Sequence, residues 1–233
     1  MYEIREAYSK SCFIGFVGQQ NAGKTTLLNK LYGLEAKMGL RDHTEEPTIY
    51  PVGSNHYAIN FPGSDSVENH STMFKQFGFM NNLFIYIMEY DGTPNQSVIT
   101  NMMDAYHVER LSDRAFKTVF CVNKCGKGGN EETFLENYKQ TYVQKIRDSL
   151  SKYKSEVDKE IKEILKKNND QETLKVLEQN MKEDQKYALK KLNIHDFLFT
   201  DWNEPDTKRG IFGPEEVEKK IKENQEQIFN PGS

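Results

Sequence analysis

The chain has little of what marks several large classes of protein. It carries three cysteines and no CxxC pair, so neither a disulfide framework nor a zinc ribbon organises it. Cys12 and Cys121 lie inside apolar runs and read as reduced, buried thiols. No apolar run approaches the ~20 residues that a membrane span needs. Residues 1–7, MYEIREA, put charges where a signal peptide requires an apolar core, and the expectation is a soluble, cytoplasmic protein. Charge of one sign is scarce too: 31 Lys and Arg stand against 35 Asp and Glu, for a formal net charge of −4. With no long basic run, a nucleic-acid groove or an affinity for anionic membranes is not implied. At 233 residues the chain is sized for one cored domain with an elaboration.

What is present centres on residues 18–25, GQQNAGKT, which fit GxxxxGKT. The apolar run FIGFV at 13–17 precedes this loop and TLLNKL at 26–31 follows it, so strand, loop and helix are in register. Such a loop turns its backbone N–H groups toward an anion that also faces the positive end of the following helix. Gly18 and Gly23 permit the turn. Lys24 can reach the outer phosphates of a nucleotide, and the Thr25 hydroxyl can join a Mg²⁺ shell. Gly18, Gln19, Gln20, Asn21, Ala22, Gly23, Lys24, Thr25 and Thr26 are therefore the candidate phosphate-contacting residues.

Along the chain, apolar strands and amphipathic helices alternate. A short leading helix over 2–9 is expected, then a strand over 12–17 and a helix over 23–32. A polar, aperiodic loop covers 33–46. Short strands over 50–53 and 56–60 flank Gly53-Ser54-Asn55, a hairpin signal, and the second ends at Asn60-Phe61-Pro62-Gly63. A polar stretch and a short helix follow. A buried strand (LFIYIM, 83–88), a helix over 96–110 and a strand (TVFCV, 118–122) running into Asn123-Lys124 come next. This pattern predicts an α/β doubly wound fold with a mainly parallel sheet, whose ligands gather at the carboxyl ends of the strands.

Residues 131–192 contain no glycine and no proline. Leu135, Tyr138, Tyr142, Ile146, Leu150, Tyr153, Val157, Ile161 and Ile164 recur at steps of three or four, which predicts one long amphipathic helix. A break at Asn168-Asn169-Asp170 and a second helix through Leu174, Leu177, Met181, Ala188 and Leu192 complete a helical hairpin. The expected division is 1–130 and 193–230 as the parent domain, with 131–192 as an inserted hairpin whose apolar stripe serves as core or as a docking surface for a protein partner. A strand (FLF, 197–199), an exit loop (TDWN, 200–203) and a closing helix over 215–229 end the chain.

The order of these motifs resembles the P-loop GTPase superfamily: phosphate loop, switch threonine, DxPG, NKxD and a base-contacting loop after the last strand. The resemblance covers residues 11–126 and 194–229. GxxNAGKTTLLNKL is similar to septin-like and translation-factor-related members, and Gln20 is similar to the P-loop glutamine of dynamin-like and interferon-inducible ones. It implies GTP or GDP bound with Mg²⁺ in a small-GTPase-like fold. Thr25, Thr48 and Asn60 would surround the metal, with Thr44 as the alternative switch threonine. Gly63 would meet the γ-phosphate, Asn123 and Lys124 would serve the base, and residues 36–49 and 61–72 would move between nucleotide states. A homodimer across the nucleotide face is a further implied partner arrangement.

Two departures from the pattern stand out. The DxPG aspartate is Asn60, which keeps an acceptor oxygen but loses a charge, and the NKxD aspartate is Gly126. Losing a bidentate charge-assisted pair to guanine weakens discrimination by ~2–3 kcal/mol. Asp201 and Trp202 in the last exit loop are the candidates to replace it, the first as acceptor and the second as a stacking surface. For hydrolysis, Ser64 replaces the glutamine after DxxG, so Gln20 is the candidate to position water, with Lys24 and a K⁺ ion at Asn21 as candidate cations. Arg41 and His70 are weaker candidates. A pseudo-GTPase scaffold that recruits partners through the helical insertion is the rival reading. An ATP-using enzyme is a third, for which Glu89 or Asp91 would have to serve as the acidic strand end.

Overall fold

The computed structural model describes residues 11–36, 46–63, 78, 80–90, 94–112, 117–127, 134–153 and 156–229. The expected leading helix, most of the 33–46 loop, and Arg41, Thr44, Ser64, His70 and Asp91 lie outside them.

Strands β1 (Cys12–Gly18), β2 (Thr48–Gly53), β3 (His56–Asn60), β4 (Leu83–Glu89), β5 (Lys117–Asn123) and β6 (Phe197–Phe199) form one sheet in the order β2-β3-β1-β4-β5-β6. Only the β2–β3 hairpin is antiparallel; β1–β3, β1–β4, β4–β5 and β5–β6 run parallel. This is the doubly wound α/β sheet expected from the strand–helix alternation. The strand order reverses beside β1, so the loop leaving β1 opens at the point where such sheets hold ligands.

Period-two alternation along each strand sends side chains to two separate cores. From β4, Phe84, Tyr86 and Met88 join one cluster, while Leu83, Ile85 and Ile87 join the other. The second cluster is covered by helix α1 (Lys24–Tyr32), through Leu27 and Leu28, and by the C-terminal helix α6 (Pro214–Phe229), through Val217 and Ile221. The first is covered by α2 (Gln96–Leu111), through Val98, Met102 and Tyr106.

The expected continuous helix over 135–164 is two helices, α3 (Phe134–Ser151) and α4 (Glu156–Lys167), followed by α5 (Gln171–Lys191). The break has a tertiary cause. The last carbonyls of a helix lack partners within it, and Gln185 on α5 donates Nε2 to the Leu150 and Ser151 carbonyls at 2.7 and 2.9 Å. The chain then tightens, with Lys152 N–H bonding the Ser149 carbonyl and Tyr153 N–H the Leu150 carbonyl, both at 3.2 Å. The apolar stripe divides accordingly. Tyr142, Ile146 and Leu150 on α3 are buried in the first core, whereas Ile161 and Ile164 on α4 are 38% and 55% exposed. The expected stop at 168–170 is found: Asn169 takes φ 56° and the Asp170 side chain caps α5 through Thr173 N–H at 3.0 Å.

Replacing Gln185 by Leu removes the side-chain donor from both carbonyls and leaves Leu150 only its bond from Tyr153 N–H. Chemical denaturation of Gln185→Leu is expected to show a loss of ~1–2 kcal/mol relative to the parent chain.

Candidate functional site

The loop between β1 and α1 is shaped by three residues with positive φ: Gly18 at 130°, Asn21 at 60° and Gly23 at 104°. A Cβ at Gly18 would run into the Ile87 carbonyl, and one at Gly23 would lie 2.6 Å from Trp202 Nε1 and 2.7 Å from Asn123 Nδ2. Both glycines are required by conformation and by close approach. α1 begins at Lys24 behind Gly23, which offers no side-chain cap, so the first N–H groups of the helix are available to an anion. Lys24 is buried and its Nζ donates to the Gly18 carbonyl at 3.0 Å and the Gln19 carbonyl at 2.7 Å. An ammonium is thereby held across the loop that an anion would enter, next to a positive helix end.

The neighbouring strand ends supply the rest. Gln19 is buried and accepts the Glu89 N–H through Oε1 at 3.3 Å. A Cβ at Gly63 would lie 2.8 Å from Gln20 Cα and 2.9 Å from Gln20 N, so the chain leaving β3 abuts the phosphate loop and only glycine fits there. Asn60 is buried and donates from Nδ2 to Thr25 Oγ1 at 3.4 Å. Thr48 stands opposite Asn60 in the β2–β3 register, with its hydroxyl donating to the Glu46 carbonyl at 3.4 Å. Among the described residues, no group of three His, Cys, Asp or Glu is placed to hold a metal. Thr25, Thr48 and Asn60 carry hydroxyl and amide oxygens at this edge, hard donors of the kind that would suit Mg²⁺.

At the end of β5, Asn123 Nδ2 donates to the Ala22 carbonyl at 2.9 Å, while its Oδ1 is buried with no hydrogen-bond partner. A buried amide oxygen left unpaired is costly unless a ligand completes it. Lys124 takes φ 66° and pairs with Glu89 Oε2 at 3.0 Å. Glu89, which also stands at a strand end, is thus engaged by the lysine that follows β5. Cys125 donates its thiol to the Val122 carbonyl at 3.1 Å, and burial pushes that thiol up to about 12, so its role is packing rather than nucleophilic chemistry.

The exit loop of β6 differs from expectation in one respect. Trp202, expected as a stacking surface, is 4% exposed; its indole packs against Gly23 in the second core, and its carbonyl accepts Lys30 Nζ at 2.6 Å. It supports the phosphate loop from beneath instead of presenting a free face. Asp201 lies beside Gly126, with Oδ2 accepting the Gly126 N–H at 3.1 Å.

Gly18 to Thr26, Thr48, Asn60, Gly63, Asn123, Lys124 and Asp201 all follow or border strand ends on one edge of the sheet. Asn21 is exposed on that edge. The pairing of Glu89 with Lys124 and the bond from Lys30 to the Trp202 carbonyl are contacts at this edge that sequence reasoning missed. Their partners lie far away in the chain, and no local motif announces them.

A family model described as 50S ribosome-binding GTPase matches residues 13–179. Among solved structures, the chain is similar to a dimerization-deficient mutant of Toc33 from Arabidopsis thaliana, at 16% identity over 66% of this chain and 68% of that chain, with a TM-score of 0.47. A probable GTP-binding protein engB is 19% identical over 58% of this chain and 80% of that chain, with a TM-score of 0.40. The small COPII coat GTPase SAR1 from Encephalitozoon cuniculi, in complex with GDP, is 21% identical over 61% and 63%, with a TM-score of 0.42. No curated protein sequence matches the chain.

Gly23→Ala would drive a Cβ between Trp202 and Asn123 and force an unfavourable φ. Binding of a fluorescent guanine nucleotide, followed by anisotropy, is expected to fall at least ~100-fold, with helical circular dichroism retained.

Proposed function

This chain belongs to the family of 50S ribosome-binding GTPases, and from that membership we propose that it is a nucleotide-switched GTPase with slow, Mg²⁺-dependent hydrolysis. The observation that carries the proposal is the convergence on one point: Lys24 Nζ across the phosphate loop, the uncapped start of α1, and the Asn123 amide bonded to Ala22. In this reading Lys24 and the N–H groups of residues 18–26 bind the phosphates. Thr25, Thr48 and Asn60 hold Mg²⁺, which when bound supplies positive charge to the phosphate oxygens. Asn123 and Lys124 meet the base.

Gln20 is the residue we assign to orienting the attacking water, supported by the close packing of Gly63 on its backbone. Asn21, exposed and in the left-handed region, is the proposed contact for a K⁺ ion that would offset developing charge alongside Lys24. Loss of the γ-phosphate would release residues 36–49 and 61–72, a local contact change with a wider readout.

We further propose that residues 1–130 and 193–230 form the nucleotide-binding unit, that 131–192 elaborate it, and that α4 with the first half of α5 offers the surface for a protein partner. The exposure of Ile161, Ile164 and Val176 supports that placement. Among the described residues no helix is long and apolar enough to cross a membrane, and the proposed compartment is the cytoplasm. A homodimer meeting across the nucleotide face fits a site whose Gln20 side would obstruct an arginine offered by an activating protein.

Asn60 in the place of a metal-holding aspartate favours one second reading, a scaffold that binds nucleotide without turnover. Calorimetry with GDP, a GTP analogue and ATP in millimolar Mg²⁺ separates the cases. Binding of the guanine nucleotides is expected, and no binding of any of the three sinks both readings. Phosphate release is expected to be slow, faster in K⁺ than in Na⁺, and reduced ~10²-fold in Gln20→Ala. Bound nucleotide with no release over hours in K⁺ would assign the scaffold role instead.

A further inference from the structure

We infer that Asp201 supplies the carboxylate that reads the nucleotide base, in place of the one that residue 126 lacks. The inference rests on the nucleotide-binding reading above and identifies its specificity residue. A Cβ built at Gly126 would lie 2.7 Å from Asp201 Oδ2 and 3.4 Å from Asp201 Cγ. Oδ2 therefore lies against the space that the first atom of any side chain at position 126 would need, with Cγ beyond it. The acid is carried by the adjacent loop, and one of its carboxylate oxygens reaches into the space that glycine leaves open at position 126. Glycine at 126 is the condition for this arrangement, because any side chain there would displace the carboxylate.

The position of Asp201 is held from several directions. Thr200 N–H bonds the Val122 carbonyl at 2.7 Å, Cys125 N–H bonds the Thr200 carbonyl at 3.1 Å, and Asp201 N–H bonds the Phe212 carbonyl at 3.0 Å. The first two zip the loop after β6 to the end of β5, and the third ties it to the connector before α6. Asp201 Oδ1 accepts the N–H groups of Asn203 and Glu204, each at 3.0 Å, and Oδ2 accepts the Gly126 N–H at 3.1 Å. A carboxylate oxygen has two lone-pair sites. Oδ1 is therefore filled, and Oδ2 retains one acceptor site. Asp201 is 9% exposed, on the same edge as Gly23, Asn123 and Lys124.

A single remaining acceptor can take one N–H from guanine, from N1 or from the 2-amino group, instead of both. Guanine is still favoured over adenine, whose N1 is an acceptor, and over xanthine, whose 2-oxo group would oppose the carboxylate. The margin is smaller than a two-armed contact allows. The network also determines what an amide would do. In Asp201→Asn, the Asn203 and Glu204 N–H groups hold the amide oxygen at the Oδ1 position, so the NH₂ group takes the Oδ2 position. A donor then replaces the acceptor: the bond from the Gly126 N–H is lost, and the new N–H suits the 2-oxo group of xanthine.

The test is a titration of wild type and Asp201→Asn with GDP, XDP and ADP in millimolar Mg²⁺, with the melting temperature of each protein measured without nucleotide. The expected result is GDP affinity reduced ~10- to 100-fold in Asp201→Asn, XDP affinity raised, and ADP affinity unchanged. An equal fall for all three diphosphates would mean that Asp201 only staples the two loops, and would overturn the inference while leaving the GTPase reading intact. Wild type that binds no guanine nucleotide would defeat that reading itself. Should Asp201→Asn not fold, Gly126→Asp combined with Asp201→Gly returns the acid to the first loop. Guanine preference equal to or above that of wild type is expected there, and a double variant that folds but ignores the base overturns the inference.

Discussion

The hydrogen bond from Asn123 Nδ2 to the Ala22 carbonyl joins the two halves of the site. A phosphate loop is a row of backbone donors that repel one another when turned inward, and it keeps that shape only if its carbonyls are held from outside. Asn123 holds one, and Lys24 holds two more at Gly18 and Gln19. Because Asn123 ends β5 while the loop leaves β1, with β4 between them, this bond ties the loop after β1 to the end of β5 across the sheet. The indole of Trp202, packed beneath Gly23, extends that link to the loop after β6. These contacts are short and buried, so they depend on the two cores on either side of the sheet being well packed.

Around this joint, charges have been redistributed rather than removed. Asn60 and Gly126 delete two carboxylates from the resembled pattern, yet carboxylates stand at the end of β4 and just after β6, at Glu89 and Asp201. Glu89 pairs with Lys124, whose left-handed backbone turns its side chain back toward β4. Asp201 is bound by three backbone N–H groups on two loops. Each acid is placed by backbone or by an opposite charge, which is how a partly buried carboxylate is kept without a prohibitive desolvation cost.

The helical elaboration is attached through a polar seam as well as an apolar one. Asp184 on α5 accepts from Arg110 Nε at 2.6 Å and lies 2.8 Å from His107 Nδ1. Beside this pair Glu109, pushed upward by burial and partly held down by the Tyr187 hydroxyl, bridges α2 to α5. These groups specify which faces of α2 and α5 meet, since a shifted register would leave buried charges unpaired. The first turns of α5 and all of α4 lie beyond this seam, where Ile164 and Val176 are exposed.

The local pattern alone was enough for the strands, for the tight glycine turn between β1 and α1, and for the stop at 168–170. Alternating burial, glycine conformation, helix caps and strand-end position are all properties of neighbouring residues, and periodicity reports them. Tertiary structure alone decided where the 135–164 stripe breaks, because Gln185 caps Leu150 from 35 residues away. It also decided that Trp202 is a support rather than a stacking face, that Glu89 serves Lys124, and that the space left by Gly126 is filled by Asp201 from 75 residues away. A sequence shows which residue types are missing from a motif. Which distant side chain occupies the vacated volume is settled only when the strand order of the sheet brings the loops after β5 and β6 side by side.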